Sequence, residues 1–195
     1  MSRDLNNLFR LDGKVIVITG ATGLLGRKHA EAVAAYGGHP VLLDLSEEAV
    51  TSLANDLNKQ FGVNASGYQV DITDESRIEE NVQQLIERYG RVDGLVNNAA
   101  NNPKVEDSAD KDFSRLENFP VDVWNQDVAV GLTGAFLCAK HYGYEISKNK
   151  EGGSIVNISS DLGLMAPDQR LYTQVGFPEE QQPVKPVTYS VVKTG

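Results

Sequence analysis

Near the amino terminus the chain reads Thr19-Gly-Ala-Thr-Gly-Leu-Leu-Gly26, with glycines at 20, 23 and 26. Glycines at such intervals let backbone turn tightly, approach a ligand without side chains, and pack a helix closely on a sheet. The chemistry this could serve is the holding of a phosphate by peptide N–H groups and the positive end of a helix. Gly20 suits the turn, Ala21-Thr22-Gly23 suits an approach to a pyrophosphate, and Gly26 suits close helix packing. Asp44, further on, is of the right type to accept both hydroxyls of an adenosine ribose, and it would repel a 2′-phosphate. No Arg or Lys occurs in the cluster before Arg27. Both features favour NAD over NADP. Asp71 could accept a hydrogen bond from an adenine amino group, or serve as a turn aspartate.

These residues need elements to position them. Val15–Thr19 is a β-branched run that reads as a strand buried on both faces, and it feeds straight into the glycine cluster. Leu24–Tyr36 has apolar residues at helical spacing and stops at Gly37-Gly38. A second strand over Val41–Leu43 delivers Asp44, and Ser46 suits the N-cap of a helix through Leu57. A third strand over Tyr68–Val70 delivers Asp71. Ile78, Val82, Leu85, Ile86 and Tyr89 then form one helical stripe that Gly90 ends. Leu95–Val96 reads as a fourth strand, Val121–Lys148 as mostly helical, and Ser154–Ser160 as a fifth strand. Strands alternating with amphipathic helices predict an α/β fold: a doubly wound parallel sheet of the Rossmann type, three-layered, in one domain over residues 1–195.

Composition narrows the function. The 195 residues carry a formal net charge of −9 and no long basic run, which argues against nucleic acid and anionic membranes as partners. No stretch suits a signal peptide or a membrane span, so a cytoplasmic location is expected. Cys138 is the one cysteine and reads as a buried, inert thiol. His29, His39, His141 and Cys138 show no metal-ligand spacing, and no metal site is expected.

Four motifs in order, "TGATGLLG", "NNAA" (Asn97–Ala100), "GGSIVNISS" (Gly152–Ser160) and "YSVVK" (Tyr189–Lys193), resemble the short-chain dehydrogenase/reductase family from about Leu11 onward. The resemblance implies an NAD-preferring oxidoreductase that interconverts an alcohol and a ketone or aldehyde, on a polar or sugar-like substrate. It implies Ser160 as the group that holds the substrate oxygen, Tyr189 as general acid/base and Lys193 as its assistant. Cofactor contacts are expected at Gly20, Thr22, Gly23, Leu25, Asp44, Asp71, Ile72, Asn98, Ala99, Tyr189 and Lys193. A homodimer or homotetramer is expected for the full-length protein. The chemistry is coherent. A lysine one helical turn from a tyrosine shares its face. At ~4 Å and an effective dielectric of about 20, its charge favours a phenolate by roughly 4 kcal/mol. A second Tyr-x-x-x-Lys match, Tyr144 with Lys148, precedes the "NISS" strand and reads as packing or surface.

Four departures keep alternatives open. Gly131, in "VGLTG", stands where the family commonly has an Asn that helps hold a proton-relaying water. That leaves a non-catalytic dinucleotide-binding protein as one alternative. The T-G-x-x-G-x-x-G spacing resembles the extended branch, which leaves a sugar-nucleotide epimerase or dehydratase as another. Residues 161–188 separate Ser160 from Tyr189, about twice the family's usual gap, and Arg170, Tyr172 or Gln174 could there touch a polar substrate. With "NNAANNPK", this insert is similar to bacterial oxidoreductases of surface-sugar or flagellin modification. The sequence ends two residues after Lys193, so a truncated form without the family's last strands and substrate loop is expected.

Overall fold

The computed structural model describes residues 8–101 and 111–195. The Asn102-Pro103-Lys104 part of the sugar-modification resemblance lies outside the described residues. Strand β1 (Val15–Thr19) is buried almost throughout, as its β-branched run demands. It is followed by α1 (Leu24–Ala35), β2 (His39–Asp44), α2 (Glu47–Phe61), β3 (Ser66–Gln69), α3 (Glu75–Tyr89) and β4 (Gly94–Asn97). Then come α4 (Val121–Val128), a π-helical segment (Ala129–Gly134), α5 (Ala135–Ser147), β5 (Ser154–Asn157) and α6 (Val187–Thr194). All strand pairs are parallel, in the order β3-β2-β1-β4-β5. This is the expected Rossmann-like sheet with flanking helices. The order reverses between β1 and β4, and in open parallel sheets ligands bind beyond the strand ends at such a switch point.

Local chemistry sets most boundaries. Ser46 Oγ accepts from Ala49 N–H at 3.3 Å to start α2, and Asp74 accepts from Ser76 and Arg77 N–H to start α3. Gly62 (φ +67°) and Gly90 (φ +73°) end these helices in the left-handed region that glycine tolerates. At the start of β4, the buried Asp93 accepts from Val15 N–H at 3.0 Å and from the Arg91 guanidinium, and Lys14 lies 3.3 Å away. Val17, Ile18, Val41, Leu42 and Leu43 of the two central strands are fully buried, with Val50 and Leu57 of α2. Cys138 is buried as expected, and burial pushes its thiol up to about 12.

Several element bounds differ from the sequence reading. Helix α2 continues past Leu57 to Phe61. Strand β3 contains Tyr68 and Gln69 of the expected Tyr68–Val70 but starts earlier, at Ser66, where its pairing with β2 begins, and ends at Gln69. The long helix before β5 is interrupted by the π-helical segment. Strand β5 ends at Asn157, so Ser160 lies beyond it. All four β5 residues are exposed.

The chain forms two compact units, one of Met1–Ala99 with Gly134–Asn157, the other of Ala100–Thr133 with Ile158–Gly195. The sheet belongs to the first. Among the described residues, no helix is long and apolar enough to cross a membrane.

Candidate functional site

In the first unit, β1 runs into the glycine loop. Gly20 adopts φ +61°, and a Cβ there would lie 2.9 Å from Ala99 Cα. A Cβ on Gly26 would lie 2.2 Å from the Gly20 carbonyl oxygen, so α1 sits directly against the loop. Thr22 donates to Asp44 Oδ2 twice, from its N–H at 2.9 Å and its hydroxyl at 2.6 Å. Leu45 N–H donates to Asp44 Oδ1 at 2.8 Å. Asp44 therefore ties the end of β2 to the loop. Gly23 is the N-cap of α1, and no side chain caps that end. The first-turn N–H groups of a helix lack intrahelical partners, so this terminus presents donors and a partial positive charge.

The "NNAA" turn closes the other side. Asn98 Nδ2 donates to the carbonyls of Thr19 at 2.9 Å and Gly20 at 3.1 Å. The N–H groups of Asn98 and Ala99 both donate to the buried Thr19 hydroxyl at 3.0 Å. Asn97 Nδ2 reaches Asn157 Oδ1 at 2.9 Å and the Ala135 carbonyl at 3.2 Å, linking β4 to β5 and α5. Asp71 Oδ1 accepts from Thr73 N–H at 2.9 Å and Thr73 Oγ1 at 2.7 Å, a turn of its own. Ile72 is buried, where a Cβ on Gly134 would meet its side chain at 2.8 Å. Leu25 is exposed in the first turn of α1.

Ser160, Tyr189 and Lys193 all belong to the second unit. Ser160 Oγ donates to Asp161 Oδ1 at 2.9 Å and accepts from Leu162 N–H at 3.3 Å, opening a 3-10 turn over Asp161–Gly163. That turn is fastened to α6: Ser159 Oγ donates to the Lys193 carbonyl, and Thr194 Oγ1 to the Gly163 carbonyl, each at 2.6 Å. Tyr189 and Lys193 ride on α6, which Pro186 leads into. Near its start, the buried Thr188 hydroxyl donates to the buried Asp127 carboxylate of α4 at 2.5 Å. Lys193 Nζ donates to the Ile158 carbonyl at 2.7 Å, and burial lowers its pKa. Gly131 faces α6, where a Cβ would lie 2.7 Å from Val192 Cβ. The missing Asn is thus matched by a neighbour that leaves it no room.

Beside α6 lies a cavity of about 490 Å³, lined largely by apolar groups including Leu162, Met165, Pro167 and Val187, with Gln169, Lys185 and Ser190 as polar members. Arg170, Tyr172 and Gln174 do not line it; Arg170 pairs with Asp168 instead. The sequence reading missed Lys185, whose ammonium lies 3.9 Å from the Tyr189 ring centroid. The available signal was its position four residues before Tyr189. Tyr144, of the second Tyr-x-x-x-Lys match, is exposed on α5 in the other unit, beneath Lys148 at 4.3 Å. Also unforeseen is the meeting of Glu75 and Glu79 with His141, whose Nε2 lies 2.8 Å and 3.8 Å from their carboxylates. Lys140 pairs with the same Glu75 oxygen at 2.5 Å, so the group reads as an ion-pair network joining α3 to α5.

Against known families, the short chain dehydrogenase model matches residues 14–173. The chain belongs to this family. Among short-chain dehydrogenases, it is 30% identical over 195 residues to the NADP-dependent mannitol dehydrogenase of Alternaria alternata, covering 98% of this chain and 64% of that protein. It is 31% identical over 166 residues to the D-threitol dehydrogenase of Mycolicibacterium smegmatis, covering 84% of this chain and 58% of that protein. A solved NAD⁺-bound xylitol dehydrogenase superposes with a TM-score of 0.77 at 26% identity, covering 94% of this chain and 61% of that one. In each case the chain spans less than two thirds of the relative's length. The short-chain dehydrogenase fold implies a nicotinamide dinucleotide, and the first unit fits one. Its loop holds positions where a Cβ would collide, beside a helix terminus that no side chain caps.

Proposed function

We propose that this chain supplies the nucleotide-holding and proton-transferring parts of an oxidoreductase that interconverts an alcohol and a ketone or aldehyde with NAD(P). The observation that carries this reading is the Gly20–Gly26 loop at the β1/β4 switch point, held by Asp44 and Asn98. Backbone of Gly20, Thr22, Gly23 and Leu25 would hold the pyrophosphate, with Asn98 and Ala99 beneath the nicotinamide half. Asp44 accepts two hydrogen bonds on Oδ2 and one on Oδ1, and a carboxylate accepts about four, so about one site on Oδ1 is left for a ribose hydroxyl. Its charge disfavours a 2′-phosphate, and we propose a preference for NAD. Asp71 and Ile72 would border the adenine.

When bound, the nicotinamide supplies the hydride chemistry. Ser160 holds and polarises the reacting oxygen, Tyr189 moves its proton, and Lys193 favours the phenolate and the nicotinamide ribose. The polyol relatives, mannitol and threitol dehydrogenases, support a polar, polyhydroxy substrate.

The test uses the full-length protein and a polyol panel. NADH should bind more tightly than NADPH, and Asp44→Ala should erase that difference. Tyr189→Phe should abolish turnover and leave NADH binding intact. Equal binding of both cofactors by the parent would remove the NAD preference. Undiminished turnover in Tyr189→Phe would remove the catalytic assignment, and binding without any turnover would favour a non-catalytic dinucleotide-binding protein.

A further inference from the structure

Tyr189 has a lysine four positions away on either side, Lys185 and Lys193. The two make different contacts. Lys193 Nζ donates to the Ile158 carbonyl at 2.7 Å, whereas Lys185 lays its ammonium over the Tyr189 ring, 3.9 Å from the centroid. The backbone that delivers Lys185 is held on both sides. Lys185 N–H donates to Gln169 Oε1 at 2.8 Å, and Val184 N–H donates to the buried Ser114 hydroxyl at 3.0 Å. Pro186, buried, follows at once and fixes the chain direction into α6. Lys185 lines the cavity together with Leu162 and Met165, and burial lowers its pKa.

A cation over a neutral phenol is held by the ring quadrupole. Once the hydroxyl has given up its proton, the same cation faces an anion, and the attraction grows. The contact therefore favours the deprotonated ring over the protonated one. Asp127 of α4 accepts from Thr188, and Asp161 accepts from Ser160 and Leu162. Arg170 pairs with Asp168, and Lys193 is on α6 itself.

We propose that Lys185 is a positioning residue for Tyr189, orienting the ring and favouring the phenolate that exchanges the substrate proton. This rests on the reading of Tyr189 as the proton-transfer group. It gives the stretch between Ser160 and Tyr189 a role in the chemistry: its final residues bring a second cation to the phenol.

The experiment compares Lys185→Met, Lys185→Gln and Lys185→Arg in the full-length protein. Phenolate absorbance is titrated in each, and the same variant carrying Tyr189→Phe is subtracted to isolate one ring. Lys185→Met and Lys185→Gln should move that midpoint up by about one pH unit, the tenfold expected of a partly solvated charge at this range. Lys185→Arg should restore it. In alcohol oxidation, the acidic limb of the kcat profile should move with the midpoint, giving about tenfold slower turnover below it with KM little changed. An unmoved midpoint and limb in both neutral variants overturns the proposal. Full turnover in Tyr189→Phe would remove the general-base reading instead, while the absorbance titration still reports whether Lys185 acts on the ring.

Discussion

Replacing Gly131 with Asn, the residue the family resemblance leads one to expect, should damage this protein. The new Cβ would lie 2.7 Å from Val192 Cβ and 2.9 Å and 3.2 Å from its two methyls. Carbon atoms pack best at about 3.5–4.0 Å, so the shortfall is roughly 1 Å. A Cβ cannot rotate away from its backbone, and the segment Ala129–Gly134 must therefore part from α6. Overpacking of this kind costs about 1–3 kcal/mol. Removing a helical glycine returns roughly 0.5–1 kcal/mol at most, which leaves a net loss of up to about 2.5 kcal/mol. The displaced helix carries Tyr189 and Lys193, the groups proposed above for proton transfer, and a 1 Å misplacement of such groups can cost on the order of 10²-fold in rate. Urea unfolding should show a lower midpoint at unchanged slope. Val192→Ala removes the two methyls and leaves the Cβ, so the double variant should recover part of the loss, with a coupling of at least about 0.5 kcal/mol. A Gly131→Asn protein as stable as the parent, or losses that simply add, would refute the close approach of the two segments.

Two further outcomes follow from buried carboxylates. Thr188→Val leaves Asp127 without its hydroxyl donor and should destabilise the fold by about 1.5–3 kcal/mol in urea, with Thr188→Ser close to the parent. For Asp93, burial alone would raise the carboxyl, but hydrogen bonds from Arg91 and Val15, with the charges of Arg91 and Lys14, hold it below the ordinary value of 3.8. A carboxyl lower in the folded than in the unfolded chain adds stability that is fully present above the unfolded value and lost as pH falls through the folded one. Unfolding curves below pH 4 should therefore decline less steeply for Asp93→Asn than for the parent.

The part of the fold around the glycine loop was legible because its signals are local. A β-branched run, small residues in the turn and an alanine-rich helix stand next to one another in sequence. Gly90 announced the end of its helix for the same reason. The end of α2 was less visible, because Asn58, Lys59 and Gln60 add nothing to an apolar stripe. Asn58 nonetheless makes reciprocal hydrogen bonds with the Ala65 backbone at 2.6 and 3.0 Å. The start of β3 was hidden by Ser66 and Gly67, poor strand formers. Gly67 is suited to its place by α2, since a Cβ there would lie 2.5 Å from the Val50 backbone. In the second unit the decisive contacts join distant parts of the chain. Val192 against Gly131, Ser114 against Val184 and Gln169 against Lys185 leave no periodic trace. Position in sequence distinguished Tyr189 from Tyr144 as a candidate, but it did not reveal the lysine lying on the Tyr189 ring.

The Thr22–Asp44 and Asn98–Thr19 ties are made entirely by the polypeptide itself. A guest therefore meets a finished socket rather than a floppy hoop. Little ordering entropy is left to lose on arrival, and capture should be governed by diffusion and desolvation instead of loop rearrangement.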